Sequence, residues 1–390
     1  MRKEIMIVIG SLEIGGAERH LLTVLPELVK RGFQITVSVL GEKGKLAPLL
    51  EVQGVLVKPL LSPRLMRFTQ RAPRLISRLL RIITVIFLLT KRLKTKKPAI
   101  LHFFLPEAYV LGMFSALLAR FSGVTIMSRR SMSHYQKRRI AVGFCERRLY
   151  DKTTLMTGNS QAVLLQLQAE GIAPQKTKLI YNGIDLALFQ QTTSKAEIRK
   201  NLNIAENSLV IIIIANLIPY KGHQDLLQAL SYISHQLSSP WTLLCVGRDD
   251  GIQKALQQKA QDLKLDDHLL WLGSRSDIPD LLTAADIGVL CSHEEGFSNA
   301  ILEGMAAGLP MVVTDVGGNK EAVLDKITGF VVKPQDPHAL GDAILQLSLD
   351  PELASKFGKK AKERVFAHFA LETCVNQYVA LYNEVLKCVV

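Results

Sequence analysis

The 390-residue sequence predicts an α/β protein of two Rossmann-like domains in tandem, and three observations predict it. Short β-branched runs alternate with longer helical patterns in both halves, the mark of parallel strands joined by helical crossovers. The first strand of each half runs into a turn suited to a ligand, glycine-rich in the first and Lys-Gly in the second. Hydrophobic periodicity lapses once, in "NGIDLALFQQTTSKAEIRKNLN", which marks a domain junction.

In the first half the strands are "IMIVIG", "ITVSVL", "AILHFF", "VTIMS" and "TTLMTG", with helices such as Ala17 to Lys30 between them. In the second half "SLVIIIIAN", "WTLLCVG", "HLLWLG", "IGVLCS" and "PMVVTD" repeat the pattern. The boundaries predicted are 1–190 and 191–371, with a last helix over about 372–390 packing back on the first domain. Ile5 to Gly10 reads as a buried strand rather than a signal peptide, because no small-residue cleavage site follows it. No apolar run reaches the ~18 residues of a membrane-spanning helix.

Five scattered cysteines without a C-x-x-C pair argue against a disulfide framework and against a zinc site, and they fit a reducing cytosol. Net charge is +13, but residues 1–190 carry 30 Lys+Arg against 11 Asp+Glu, while the rest is acidic. No acid occurs between Val52 and Pro106, and eleven basic residues fall between Arg64 and Lys97. An anionic partner or surface is the expected counterpart. The middle of that segment, Ile82 to Leu89, is apolar, which suits a helix lying in an anionic membrane interface; a solvated helix face is the other reading. Arg74, Arg78, Arg81, Phe87, Lys91 and Arg92 are the expected membrane-facing residues. Nucleic acid is disfavoured, since no aromatic residues interleave the charges and no recognition fold accompanies them.

"GSLEIGGAER" opens the first helix, where glycines let backbone amides approach a phosphate. It is neither a P-loop nor G-x-G-x-x-G, and a plain tight turn would look the same. Lys221-Gly222, at a helix start in the second half, can neutralise a diphosphate or merely meet solvent. In "EEGFSNAILEGMAAGLP", Glu295 lies in a loop at the carboxyl end of a strand, and Ser298 or Asn299 can cap a helix that carries Glu303. A carboxylate between Leu302 and Met305 needs hydrogen-bond donors, and a ribose diol supplies a pair.

Glu295 and Glu303 in "EGFSNAILE", with "GGAER", "NSQAV", "YNGID", "PYKG" and "AAGLPMVVTDVGGNKEAV", resemble the retaining glycosyltransferases of family 4, in order over nearly the whole chain. The resemblance implies the GT-B fold, two Rossmann-like domains facing each other across a cleft that holds a nucleoside diphosphate sugar, UDP-linked by preference. It implies Glu303 on the ribose, Glu295 and Gly296 with the Phe297, Ser298 and Asn299 amides on sugar and phosphates, Lys221 on the diphosphate, and Gly15 and Gly16 closing the site. Lys221 and Glu295 are then the catalytic pair, with no cofactor or metal required.

Three departures stand out. Asn216 occupies a place where the family often has arginine, and Arg248-Asp249-Asp250-Gly251 replaces a glycine-rich turn. The family's histidine after "VTIMS" is missing, which leaves Arg129, Arg130 and His134 as candidate acceptor or phosphate contacts; His102 reads as structural. The activity implied is transfer of a sugar to a lipid-linked or polysaccharide glycan in cell-envelope, lipopolysaccharide or exopolysaccharide biosynthesis, by an enzyme peripheral on the inner membrane face. A scaffold that binds nucleotide sugars without turnover, or a GT-B epimerase or phosphorylase, is the alternative.

Overall fold

The computed structural model describes residues 4–63, 65, 73–133, 136, 140–190, 193–237 and 240–387. The chain forms two compact units, one of Met1–Gly183 with Leu371–Val390 and one of Ile184–Ala370.

The first unit runs β1 (Glu4–Ile9), α1 (Gly16–Lys30), β2 (Gln34–Val39), α2 (Ala47–Val52), β3 (Leu56–Pro59), α3 (Arg74–Lys96), β4 (Ile100–Phe104), α4 (Pro106–Ala119), β5 (Val124–Arg129), α5 (Ile140–Leu149), β6 (Leu155–Gly158), α6 (Gln161–Ala169) and β7 (Thr177–Leu179). Its strands are all parallel, in the order β3-β2-β1-β4-β5-β6-β7. Side chains alternate along a strand, so β1 serves two cores at once. Ile5, Ile7 and Ile9 pack with Leu21, Val24 and Leu28 of α1. Met6 and Val8 pack on the other face with Val85, Leu89 and Leu93 of α3 and with Tyr109 and Met113 of α4. A sheet buried on both faces reads as unbroken apolar runs, which is why "IMIVI" is legible.

The second unit contains α7 (Lys195–Asn201), β8 (Leu209–Ile214), α8 (His223–Ile233), β9 (Trp241–Val246), α9 (Gln253–Asp262), β10 (Leu269–Gly273), α10 (Ile278–Ala284), β11 (Ile287–Leu290), α11 (Asn299–Ala306), β12 (Met311–Thr314), α12 (Asn319–Ala322), β13 (Gly329–Val332), α13 (Pro337–Leu349) and α14 (Pro351–His368). Its parallel order is β10-β9-β8-β11-β12-β13. The order reverses between β8 and β11, and the loops leaving those strands diverge there. Open α/β sheets bind ligands in the crevice so formed.

The last helix, α15 (Leu371–Lys387), belongs to the first unit and packs on α1. Two buried histidines fasten it. His20 Nε2 lies 3.0 Å from Tyr378 Oη, and His102 Nδ1 lies 2.9 Å from Tyr382 Oη while its Nε2 reaches Ser128 Oγ at 2.7 Å. Burial lowers both histidines, His102 to about 3, so they stay neutral. His102 is thus a satisfied core group.

The basic segment differs from a helix lying wholly in an interface. Val85, Leu89 and Leu93 of α3 point into the core, and Ile86 and Leu88 are half-buried. Arg92 also turns inward, donating to Ser38 Oγ and to the Lys58 and Pro59 carbonyls at 3.0–3.1 Å, which removes it from a membrane-facing set. The two carbonyls lie at the end of β3. Arg78, Phe87 and Lys91 are exposed, and the side chain of Arg74 lies outside the described residues. No helix among the described residues is long and apolar enough to cross a membrane.

Candidate functional site

Lys221 and Glu295 meet at the switch point of the second sheet, in the loops after β8 and β11. Lys221 Nζ donates to Glu295 Oε1 at 2.5 Å, and Ser292 Oγ donates to the same oxygen at 2.8 Å. Both ends of the pair are mostly enclosed, 17% and 11% exposed. Burial pulls the lysine down, but the Glu295 carboxylate and its hydrogen bond more than offset this, so the ammonium is held above its ordinary value. A charge kept on lysine at the mouth of a sheet is suited to an anionic ligand.

Local backbone chemistry forces the two loops together. Gly222 has φ +73 and faces Cys291, where a Cβ would come within 2.0 Å of the carbonyl oxygen. The His293 amide donates to Tyr220 O at 2.7 Å, and Cys291 Sγ to Gly222 O at 3.2 Å. Gly317 seals the other side, since a Cβ there would sit 1.9 Å from Glu295 O, and Gly318 N donates to Gly296 O. Only glycine permits these approaches.

Sequence reading missed the further clamp between these loops, His293 Nε2 to Asp225 Oδ2 at 2.6 Å. His293 stands in the "HEEGF" loop and Asp225 in the first turn of α8, 68 residues apart, so no local spacing reveals the pair. His223, which opens α8, is buried without a well-formed hydrogen bond at either ring nitrogen, and burial lowers it to about 4. Asn216 Oδ1 accepts from the Arg248 amide at 3.2 Å, tying the loop after β8 to the loop after β9. Asp249 Oδ1 accepts from the amides of Gly251, Ile252 and Gln253, so the turn that replaces a glycine-rich one is built around a carboxylate.

Ser298 is the N-cap of α11, with no capping bond from its hydroxyl. Phe297 is buried and packs its ring against Phe369 at 5.4 Å, so its side chain serves the fold. Glu303 lies on α11, half-buried between buried Leu302 and Gly304.

In the first unit the sequence-derived site changes more. Arg129 is fully buried, paired to Glu146 at 2.6 Å and Glu170 at 2.7 Å, with Tyr150 Oη beside it. It therefore cannot contact an acceptor or phosphate; its charge is spent inside the unit. Arg130 Nη2 donates to Asn182 Oδ1 at 2.5 Å. His134 lies outside the described residues. Gly15 makes room for a neighbour: a Cβ there would be 2.3 Å from Glu18 Oε2. Nothing lies within 4 Å of the corresponding position on Gly16.

Two family models match the chain, Glycosyltransferase Family 4 over residues 14–188 and Glycosyl transferases group 1 over residues 194–364. N-acetyl-alpha-D-glucosaminyl L-malate synthase of Bacillus anthracis is 30% identical over 61% of this chain and 61% of its own length. The chain thus spans about three fifths of that relative. UDP-Gal:alpha-D-GlcNAc-diphosphoundecaprenol alpha-1,3-galactosyltransferase of Escherichia coli is 27% identical over 76% of this chain and 78% of its own. Among solved structures, Anabaena Alr3699/HepE in complex with UDP and glucose matches with a TM-score of 0.83 at 25% identity, covering 98% of this chain and 100% of that one.

Proposed function

The chain belongs to glycosyltransferase family 4 with the GT-B fold, and on that premise we propose that it transfers a sugar, with retention, from a UDP-linked donor to a lipid-linked or polysaccharide glycan of the cell envelope. The observation that carries this reading is the Lys221–Glu295 pair at the switch point, with Glu303 on the adjoining helix. As the sugar C1–O bond breaks, the departing UDP takes the electron pair and negative charge grows on its phosphate, where Lys221 and the start of α8 oppose it. The acceptor oxygen bonds to C1 on the face UDP leaves, and its proton passes to the leaving phosphate oxygen. Glu295, released by the lysine, accepts from donor hydroxyls, and Glu303 takes the ribose diol. The E. coli relative's named acceptor, a sugar on diphosphoundecaprenol, favours a lipid-linked acceptor, as does the surface of the first unit.

On that surface α3 packs on α4 and α4 on α5. Each exposes apolar pairs one turn apart: Ile83 with Phe87, Phe114 with Leu118, Ile140 with Phe144. Arg78, Lys91, Lys94, Arg120, Arg147 and Arg148 are exposed among them, whereas Glu107 is the one exposed carboxylate on these helices. Apolar side chains ringed by cations fit an anionic leaflet, the chain acting from the inner membrane face.

Release of UDP from a panel of UDP-sugars tests the enzyme reading against a scaffold, which releases none. Co-sedimentation tests the surface. Anionic vesicles should carry the protein down and neutral ones should not, and Phe87→Ser with Phe144→Ser should make the remaining binding fully reversible by salt. Equal, negligible pelleting with both lipids would refute the membrane role.

A further inference from the structure

The clamp between His293 and Asp225 stands at the start of α8, beside the Lys221–Glu295 pair. His293 holds its loop to the chain on both sides of Gly222: its amide donates to Tyr220 O at 2.7 Å, and its ring donates from Nε2 to Asp225 Oδ2 at 2.6 Å. One residue back, Ser292 Oγ donates to Glu295 Oε1 at 2.8 Å. The loop that carries Glu295 is thereby tied to the first turn of α8. Asp225 is the third residue of that helix, after the N-cap Gly222. The amides of Asp225 and Leu226 donate to Gly222 O at 2.9 and 3.1 Å, which leaves those of His223 and Gln224 to find acceptors outside the helix.

An acidic side chain at the third helical position can fold back on the opening amides, as it does in a capping box. A carboxylate and a diphosphate would then compete for the same donors. Here Asp225 takes no hydrogen bond from those amides among the described residues; its carboxylate is engaged by a ring from another loop instead. We propose that His293 is a positioning residue: it holds the Asp225 carboxylate off the amides of His223 and Gln224, leaving them to the donor diphosphate, and it ties the loop of Glu295 to the same turn. No contact between His293 and substrate is required. The proposal rests on the glycosyltransferase reading above and deepens it, by naming what keeps the start of α8 open to an anion.

Two substitutions break the clamp in opposite senses. His293→Ala frees a carboxylate beside the amides, whereas Asp225→Ala removes that carboxylate. Binding of UDP and of uridine to the full chain is measured by calorimetry, and kcat by release of UDP from a donor. His293→Ala should weaken UDP about fivefold or more and leave uridine unaffected, since uridine carries no phosphate. Asp225→Ala should keep the wild-type affinity for UDP, and adding it to His293→Ala should restore what that variant lost. Both single variants should lower kcat, because each unties the loop of Glu295. Both side chains are half-buried rather than enclosed, so the fold should stand, and His293→Gln, whose amide can still donate to Asp225, should fall between His293→Ala and wild type. The proposal is overturned if His293→Ala keeps its affinity for UDP, if Asp225→Ala loses as much as His293→Ala, if uridine loses as much as UDP, or if both single variants keep wild-type kcat. Failure of the parent reading looks different, since the wild-type chain would then neither bind UDP nor release it from a donor.

Discussion

Replacing Lys221 by Met removes one end of a 2.5 Å ion pair and leaves Glu295 with Ser292 Oγ as its other donor. Exposed pairs contribute about 0–1 kcal/mol, and breaking a fully buried one costs about 3–5 kcal/mol. With 17% and 11% exposure this pair stands between them, so the substitution should cost about 1–3 kcal/mol in urea unfolding. Turnover should suffer far more, on the order of 10²-fold or beyond, because the charge opposed by the lysine is largest as the glycosyl bond breaks. Glu295→Gln keeps the shape and Ser292, and the double variant closes a cycle. If the pair acts as a unit, the double variant loses little more turnover than Lys221→Met alone, and the stability coupling exceeds about 0.5 kcal/mol. The pH dependence has a definite sign. A lysine raised in the folded state contributes stability that is complete below its ordinary value of 10.5 and is lost as pH rises through the folded value, so the contribution should persist throughout the neutral range. Near-normal turnover of Lys221→Met in a folded protein would remove the lysine from the mechanism.

Glu303→Ala should lower UDP affinity by roughly 1.5–3 kcal/mol in calorimetry with the fold intact, and unchanged affinity would end the ribose assignment. His102, held near 3 by burial, stays neutral when folded but protonates near 6.5 when unfolded; stability from this group is present above 6.5 and is lost as pH falls toward 3, by up to about 1.4 kcal/mol per pH unit. Urea midpoints from pH 7 to 4 should show a shallower decline in His102→Asn, and an identical slope would contradict this. Arg129→Leu should cost about 3–5 kcal/mol by stranding Glu146, and adding Glu146→Gln should recover much of it; a loss below 1 kcal/mol would mean that the buried pair is dispensable.

Much of the fold was legible because a doubly covered parallel sheet must write its strands as apolar runs, as "IMIVI" and "LVIIII" do. That Lys221 and Glu295 lie on one edge of the second sheet was legible for a related reason. Each stands at or beside the carboxyl end of such a strand, where chain order already fixes the ligand edge, and the glycines beside them mark close backbone approach. Direction and pairing were not legible. Arg78 and Arg92 belong to the same basic helix, yet one is exposed and the other donates to carbonyls of β3. Arg129 meets partners 17 and 41 residues away, and His293 one 68 residues away. Side-chain charge is a property of the sequence, but whether that charge faces solvent, a ligand or an opposite charge depends on which strands and helices lie beside it. Burial makes that choice, since a carboxylate such as Glu146 enclosed in the unit must take an arginine from wherever the fold supplies one.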